Sequence, residues 1–158
     1  MIAFSIGSNL GNRLQNLRDA VNNLSSAGEI LALSNVYETE AWGGISQPDY
    51  LNACLIANIN KNPQELLKFV KDLEIKLGRV PSVRWGARKI DIDIIFYDNE
   101  IINTPDLKIP HENLHNRAFV LIPLNEILPD YIHPVLKISV KDLAKNFEHE
   151  NLIKITSL

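Results

Sequence analysis

Between Tyr50 and Asn60 the side chains alternate so that Leu51, Ala53, Leu55, Ala57 and Ile59 share one side of an extended chain, while Tyr50 and Asn52 share the other. This is the clearest strand in the sequence, and it is followed at once by a helix start. Asn62 suits the cap, Pro63 the first helical position, and Glu65 completes a capping-box pair. Leu66, Val70, Leu73 and Leu77 then give a buried stripe at spacings of three and four, with Gly78 as the stop.

The same hand-over from strand to helix occurs earlier. Ile2–Ile6 reads as a short apolar strand, followed by Gly7-Ser8-Asn9-Leu10-Gly11-Asn12 and a helix carrying Leu14, Leu17, Val21 and Leu24, with Gly28 as its stop. Ile30–Tyr37 reads as one strand and residues 38–49 as a loop. Ile90–Tyr97 alternates again, and Asp98-Asn99-Glu100 is expected to turn it into a short partner strand. The prolines of the last third leave room for a short helix near Asn116–Ile127 and another from Ser139. Strand, helix, strand, strand, helix, strand is the order of a split βαβ unit. The expectation is therefore an α+β, ferredoxin-like sandwich with both helices on one sheet face and an extra C-terminal α/β extension.

A length of 158 residues fits one domain spanning 1–158. The net charge of −3 gives no overall attraction to nucleic acid or to an anionic membrane, so an anionic ligand needs a local basic cluster. Cys54 has no second cysteine to pair with, and it sits in an apolar strand as a small core residue. The N-terminus lacks a basic region and a long apolar run, and no segment approaches the length of a membrane span. These features predict a cytoplasmic protein.

The chemistry concentrates in Arg84-Trp85-Gly86-Ala87-Arg88-Lys89-Ile90-Asp91-Ile92-Asp93. On a strand Asp91 and Asp93 share a face about 6.5–7 Å apart along the chain. Ile90, Ile92, Ile94 and Phe96 are expected in the core on the other face. Two carboxylates so placed suit one Mg²⁺ or a pair roughly 3.5–4 Å apart. Alone, the pair would be better read as the polar face of a solvated edge strand. From Lys76 to Lys89, however, stand Lys76, Arg79, Arg84, Arg88 and Lys89 with no acidic residue. Metal on one side and guanidinium on the other are what a polyphosphate needs. Glu74, at the edge of its helix's apolar stripe, could hold a nucleotide hydroxyl or orient Arg79, or could be an ordinary surface glutamate.

Gly7–Gly11 lacks both the Lys-Ser/Thr of a Walker loop and the G-x-G-x-x-G of a dinucleotide fold, and reads as a tight turn near a site. His111-Glu112-Asn113-Leu114-His115 matches H-E-x-x-H, but Pro110 precedes it, Asn113 is polar, and no third ligand follows. His111 with Arg117 fits better as phosphate donors. Tyr50, Trp42, Trp85 and Phe119 lie outside the apolar stripes. With Asn52, such aromatics could form a slot for a flat heterocycle, although for Phe119 alone an ordinary core position is the better reading.

The whole chain resembles the 6-hydroxymethyl-7,8-dihydropterin pyrophosphokinase family. The resemblance runs through Gly7–Gly11, Gln47-Pro48-Asp49-Tyr50-Leu51-Asn52, Gly78-Arg79, Arg84–Arg88, Asp91-Ile92-Asp93, Pro110-His111 and Asn116–Leu121. It implies transfer of diphosphate from ATP to the hydroxymethylpterin, with AMP leaving. It further implies that Asp91 and Asp93 hold two Mg²⁺, and that Thr39, Trp42, Tyr50, Asn52, Trp85 and Phe119 surround the pterin. Glu74, Arg79, Arg84, Arg88, His111 and Arg117 would serve ATP, with Arg79 and Arg88 catalytic alongside the two aspartates. Residues 79–89 would form a closing lid. A monomer is expected, with small-molecule partners and neither nucleic acid nor membrane. The rival readings are a zinc hydrolase built on His111 and His115 and a non-catalytic ferredoxin-like module that binds RNA or protein.

Overall fold

The computed structural model describes residues 1–39, 49–79, 88–148 and 152–158. The first hundred residues supply β1 (Ile2–Ser8), α1 (Arg13–Ser25), β2 (Gly28–Leu33), β3 (Asn35–Thr39), β4 (Tyr50–Ile59), α2 (Pro63–Lys76) and β5 (Asp91–Tyr97). After them come β6 (Ile102–Asn103), β7 (Lys108–Ile109), α3 (Ala118–Ile127), α4 (Val140–Ala144) and β8 (Ile153–Ser157).

β1 is the hub, pairing antiparallel with β4 on one side and β5 on the other. β4 in turn pairs antiparallel with β2 and with β3, and β3 with β8. Helix α1 thus joins β1 to strands parallel to it with β4 lying between. Helix α2 likewise joins β4 to β5 with β1 lying between. The result is an α+β fold in which helices cover both sheet faces.

Helices α1 and α2 cover one face. Leu17, Ala20 and Leu24 from α1 and Leu66, Val70 and Leu73 from α2 are buried with Phe4, Ile6, Leu55, Ile92 and Ile94 in one core cluster. A fully buried Leu or Val side chain contributes about 1.5–3 kcal/mol, so this stripe accounts for much of the packing that holds the helices down. Asn62 and Glu65 form the reciprocal capping box that the sequence predicts, with Pro63 behind the cap. The opposite face is covered by the C-terminal third. Val120, Leu121 and Leu124 of α3 and Val140 and Leu143 of α4 pack with Ala3, Cys54, Ile95 and Phe96.

The structure corrects four expectations. Gly28 does not stop α1, which is capped at Ser26. Gly28 opens β2 instead, where a Cβ would lie 2.1 Å from the Asn58 carbonyl oxygen, a contact that only glycine avoids. The single strand expected over Ile30–Tyr37 is interrupted at Ser34, so that β2 pairs with one half of β4 and β3 with the other. Phe96 does not share a face with Ile94. The register against β1 shifts between Ala3 and Phe4, leaving Ile95 as an extra residue, and this bulge sends Ile95 and Phe96 to the second core. The segment after Asp98-Asn99-Glu100 does not return against β5, because β6 pairs with β7. Strand β8 was not anticipated, although Ile153-Lys154-Ile155-Thr156 carries a short alternation that could have signalled it.

The break at Ser34 rests on one hydroxyl. Ser34 N donates to Cys54 O at 2.9 Å, and its buried Oγ accepts from Cys54 N at 2.8 Å. Ser34→Ala should strand that buried N–H, costing about 1–3 kcal/mol. At roughly 2–4 °C per kcal/mol for a domain near this size, the thermal midpoint should fall by at least 2 °C. A calorimetric midpoint equal to that of the parent protein would contradict this account.

Candidate functional site

Register across the sheet decides which residues meet. Directly opposed residues of antiparallel strands share a face. Gly7 of β1 faces Asn52 of β4 and Asp91 of β5, while Ser5 faces Cys54 and Asp93. Thr39 of β3 faces Tyr50, and Tyr37 faces Asn52. Thr39, Tyr50, Asn52, Gly7, Asp91 and Asp93 therefore lie on one sheet face. It is the face that α3 and α4 cover further down, so the second core and the site divide a single surface between them.

Gly7 is required by this crowding, because a Cβ there would come within 2.8 Å of Asn52 Oδ1 and 3.4 Å of the Tyr50 ring. Asn52 is buried, and its amide donates to Thr39 Oγ1 at 3.0 Å. Next along the chain, buried Asn9 clasps the backbone of Arg88. Its Oδ1 accepts from Arg88 N at 2.6 Å and its own N–H donates to Arg88 O at 3.0 Å. The Arg88 side chain hydrogen-bonds Tyr50, whose phenol is pushed up by burial and by Asp91 despite the nearby arginines.

The end of α2 places the next pair. Gly78 adopts φ +97° after the cap, Gly78 N donates to Ile75 O, and Arg79 N donates to Glu74 O. These are the paired bonds of a Schellman motif, and they bring the Arg79 side chain back over Glu74. Arg79 Nη1 donates to Glu74 Oε2 at 2.6 Å and to Asp91 Oδ1 at 3.1 Å. Glu74 is buried and also accepts from Ile92 N at 2.9 Å, satisfying the open edge of β5. Burial holds its carboxyl up, against the Ile92 N–H and the Arg79 charge that pull it down. The reading of Glu74 as an arginine-orienting residue fits, and the surface-glutamate alternative does not.

His111 covers the same edge, donating its backbone N–H to Ile95 O at 3.0 Å. Its Nδ1 accepts from Asn113 N at 3.3 Å, which leaves Nε2 as the donor, and burial together with Arg117 lowers its pKa. H-E-x-x-H does not lie on an α-helix, because Leu114–Asn116 is a single 3-10 turn. Arg117 stands at the start of α3, with its guanidinium carbon 5.6 Å from the centre of the Phe119 ring.

A cleft of about 340 Å³ is walled by α2, β5 and residues 105–108 and 111–112. Besides Glu74, Arg79, Asp91, Asp93 and His111 it is lined by Leu67, Lys71, Leu107 and Lys108, which the sequence reading missed. Lys71 lies one turn before Glu74 on the same helix face, a spacing that could have found it. Leu107 and Lys108 carry no local signal, because only tertiary packing brings their segment to α2. Trp42, Arg84 and Trp85, and most of the lid expected over 79–89, lie outside the described residues.

Asp93 is the most perturbed carboxyl. Burial, then the neighbouring Asp91 charge, raise it from 3.8 to about 7, against the pull of Arg117. An acid whose folded pKa is raised binds more protons folded than unfolded. The contribution of Asp93 to stability is therefore fully present below about pH 4 and is lost as pH rises toward 7. Asp93→Asn should remove this penalty. In the absence of divalent metal its thermal midpoint at pH 7 should exceed the parent's by about 2–6 °C, and the slope between pH 4 and 7 should flatten. A midpoint lowered at neutral pH would contradict it.

A family model described as 7,8-dihydro-6-hydroxymethylpterin-pyrophosphokinase matches residues 3–129. The 2-amino-4-hydroxy-6-hydroxymethyldihydropteridine pyrophosphokinase of Aquifex aeolicus is 40% identical over 153 residues, covering 97% of this chain and 93% of that protein. The protein of that name from Haemophilus influenzae is 37% identical over 153 residues, with 96% and 95% covered. Among solved structures, a Plasmodium falciparum HPPK-DHPS chain superposes with a TM-score of 0.77 at 16% identity. That match covers 98% of this chain but only 47% of the Plasmodium chain, so it speaks to the fold alone. On the extent of the family match and the full-length identity to these relatives, the chain belongs to the 7,8-dihydro-6-hydroxymethylpterin-pyrophosphokinase family.

Proposed function

We propose that this chain transfers diphosphate from ATP to the hydroxymethyl group of 6-hydroxymethyl-7,8-dihydropterin, releasing AMP, and that its 158 residues act as one pyrophosphokinase domain. The observation that carries the reading is the single sheet face on which a carboxylate pair, two arginines and an aromatic–amide slot converge.

Thr39, Tyr50 and Asn52 would receive the pterin, with Phe119 closing the slot from α3. Asn52 presents an amide edge to a heterocycle, and the Tyr50 ring offers a stacking surface. The triphosphate would lie in the cleft between α2 and β5, with the adenosine end toward Leu67 and Leu107 and with Lys71 near the ribose or phosphates. His111 Nε2 and Arg117 are suited to donate to phosphate oxygens. Trp42, Arg84 and Trp85 are assigned to the pterin and ATP by family resemblance.

Asp91 and Asp93 fit a hard cation. They are oxygen donors on one face, and mutual repulsion with burial already raises Asp93, a strain that a cation relieves. Among the described residues no three metal-binding side chains converge, so the remaining ligands would come from ATP and water. Two Mg²⁺ bound there would neutralise the phosphates and orient them for in-line attack at the β-phosphorus. The protein's own part is positional. Glu74 and Asp91 hold the Arg79 guanidinium on the cleft wall, and Asn9 fixes the Arg88 backbone beside it, so the Arg79 charge is in place before negative charge shifts onto the oxygens around the β-phosphorus and onto the departing AMP.

Incubation with Mg²⁺, ATP and the reduced pterin should yield AMP and pterin diphosphate in equal amounts. ADP in place of AMP would overturn the reaction assigned. Asp91→Ala should fold yet lose at least about a hundredfold in turnover, equivalent to about 2.7 kcal/mol of transition-state stabilisation. Arg79→Ala should lower kcat much more than it weakens ATP, because the guanidinium is already oriented and acts on charge that develops late. Equal losses in both constants would assign Arg79 to ground-state binding instead.

A further inference from the structure

Helix α1 opens against its own electrostatics. Its first residue is Arg13, and no acidic side chain stands in its first turn. The unpaired N–H groups of a helix start carry positive potential, so a cation there is unfavourable. Asn12 supplies the cap by accepting from Gln15 N at 3.2 Å, which leaves Arg13 no role in the helix itself. A residue that breaks a local rule without local compensation is a place to look for function.

The Arg13 side chain reaches across to the sheet. Its Nη1 donates to Glu38 Oε2 at 2.7 Å and to the Asp49 carbonyl oxygen at 3.0 Å. Glu38 and Asp49 flank the terminal rung of the β3–β4 ladder, in which Thr39 opposes Tyr50. One nitrogen thus ties the helix start to both strands at the level of the Thr39–Tyr50 pair. One turn on, Asn16 Nδ2 donates to Leu10 O at 2.9 Å and to Ser8 Oγ at 3.1 Å, holding the turn that leaves β1. The turn beside Gly7 and the rung carrying Thr39 and Tyr50 are therefore referenced to the same helix end.

We propose that Arg13 is a positioning residue for the pterin slot. It sets the separation of Thr39 and Tyr50 and, through Thr39, the orientation of the Asn52 amide. The inference rests on the assignment of these three residues to the pterin. The Arg13 and Glu38 side chains are 31% and 26% exposed, and an ion pair at that exposure adds little to global stability. Its effect falls on local geometry, where a small misplacement of a binding group is costly.

The test is steady-state kinetics with each substrate varied in turn. Arg13→Ala should raise the KM for the reduced pterin about tenfold while the KM for ATP stays within about twofold, because the ATP cleft lies across β5. The thermal midpoint should stay within about 3 °C of the parent's. Arg13→Lys, which keeps the charge and a donor, should recover part of the pterin KM. Glu38→Gln, which weakens the same contact from the other side, should reproduce the selective loss even if Arg13→Ala folds poorly. Parallel rises in both KM values, or an unchanged pterin KM in folded variants, would overturn the inference while leaving the activity standing. A parent protein that forms no AMP would overturn the functional assignment, and this inference with it.

Discussion

Strand β1 is hydrogen-bonded on both sides and packed on both faces, and every sheet residue of the site is placed by its register. Ala3, Ser5 and Gly7 point to one face, and the residues opposite them run from hydrophobic packing at one end to chemistry at the other. Near Ala3 the neighbours are Ile56 and Phe96. At Ser5 they are Cys54 and Asp93, and at Gly7 they are Asn52 and Asp91. A slip of one residue would turn Asp91 and Asp93 into the core beneath α1 and α2. The hydrophobic set on the other face, Phe4 and Ile6 with Leu55, Ile92 and Ile94, forbids that slip. The packing energy of one face thus fixes which side chains the other presents.

The second constraint is electrostatic. Asp93 feels the charges of Asp91 and, more weakly, Glu74, and both Asp93 and Glu74 have raised pKa values. Arg79 offsets part of this by bonding Glu74 and Asp91 together, and Arg117 acts on Asp93 from the start of α3. A protein selected for stability alone would not hold carboxylates in that relation. Under the proposed reading, the unfavourable term is offset when a cation and a polyphosphate, whose charges cancel it, occupy the same arrangement.

The C-terminal third has a double role. Its helices α3 and α4 close the second core over Cys54 and Phe96. The start of α3 then brings Arg117 within electrostatic reach of Asp93, with Phe119 beside it packed against the second core, the ordinary core position preferred for it from sequence. Between β7 and α3 the chain passes along the edge of β5, where His111 bonds Ile95 O and enters the cleft. The bulge at Ile95 is what lets β5 present aspartates at one end and Phe96 to the second core at the other.

The sequence by itself determined the alternation of strands and helices, the capping box at Asn62, the stop at Gly78 and the pairing of Asp91 with Asp93 on one face. Each depends on neighbours within a few residues, where periodicity and side-chain chemistry are sufficient. It also named the arginines and aromatics of the site, though only family resemblance gave them roles. Tertiary structure decided the rest. Whether Glu74 was a surface residue or a buried anchor depended on the free edge of β5, where its partner Ile92 lies eighteen residues away in sequence. The role of Gly28 depended on the Asn58 carbonyl across the ladder, and the side taken by Phe96 on a bulge visible only in the pairing with β1. Leu107 carries no local mark of the site and Arg13 only an unfavourable charge at a helix start, because what each meets lies on other elements: Leu107 lines a cleft with Leu67 and Lys71, and Arg13 bonds Glu38 and the Asp49 carbonyl. Contacts between distant segments form only when the cores on both faces close, and the pattern of near neighbours holds no record of them.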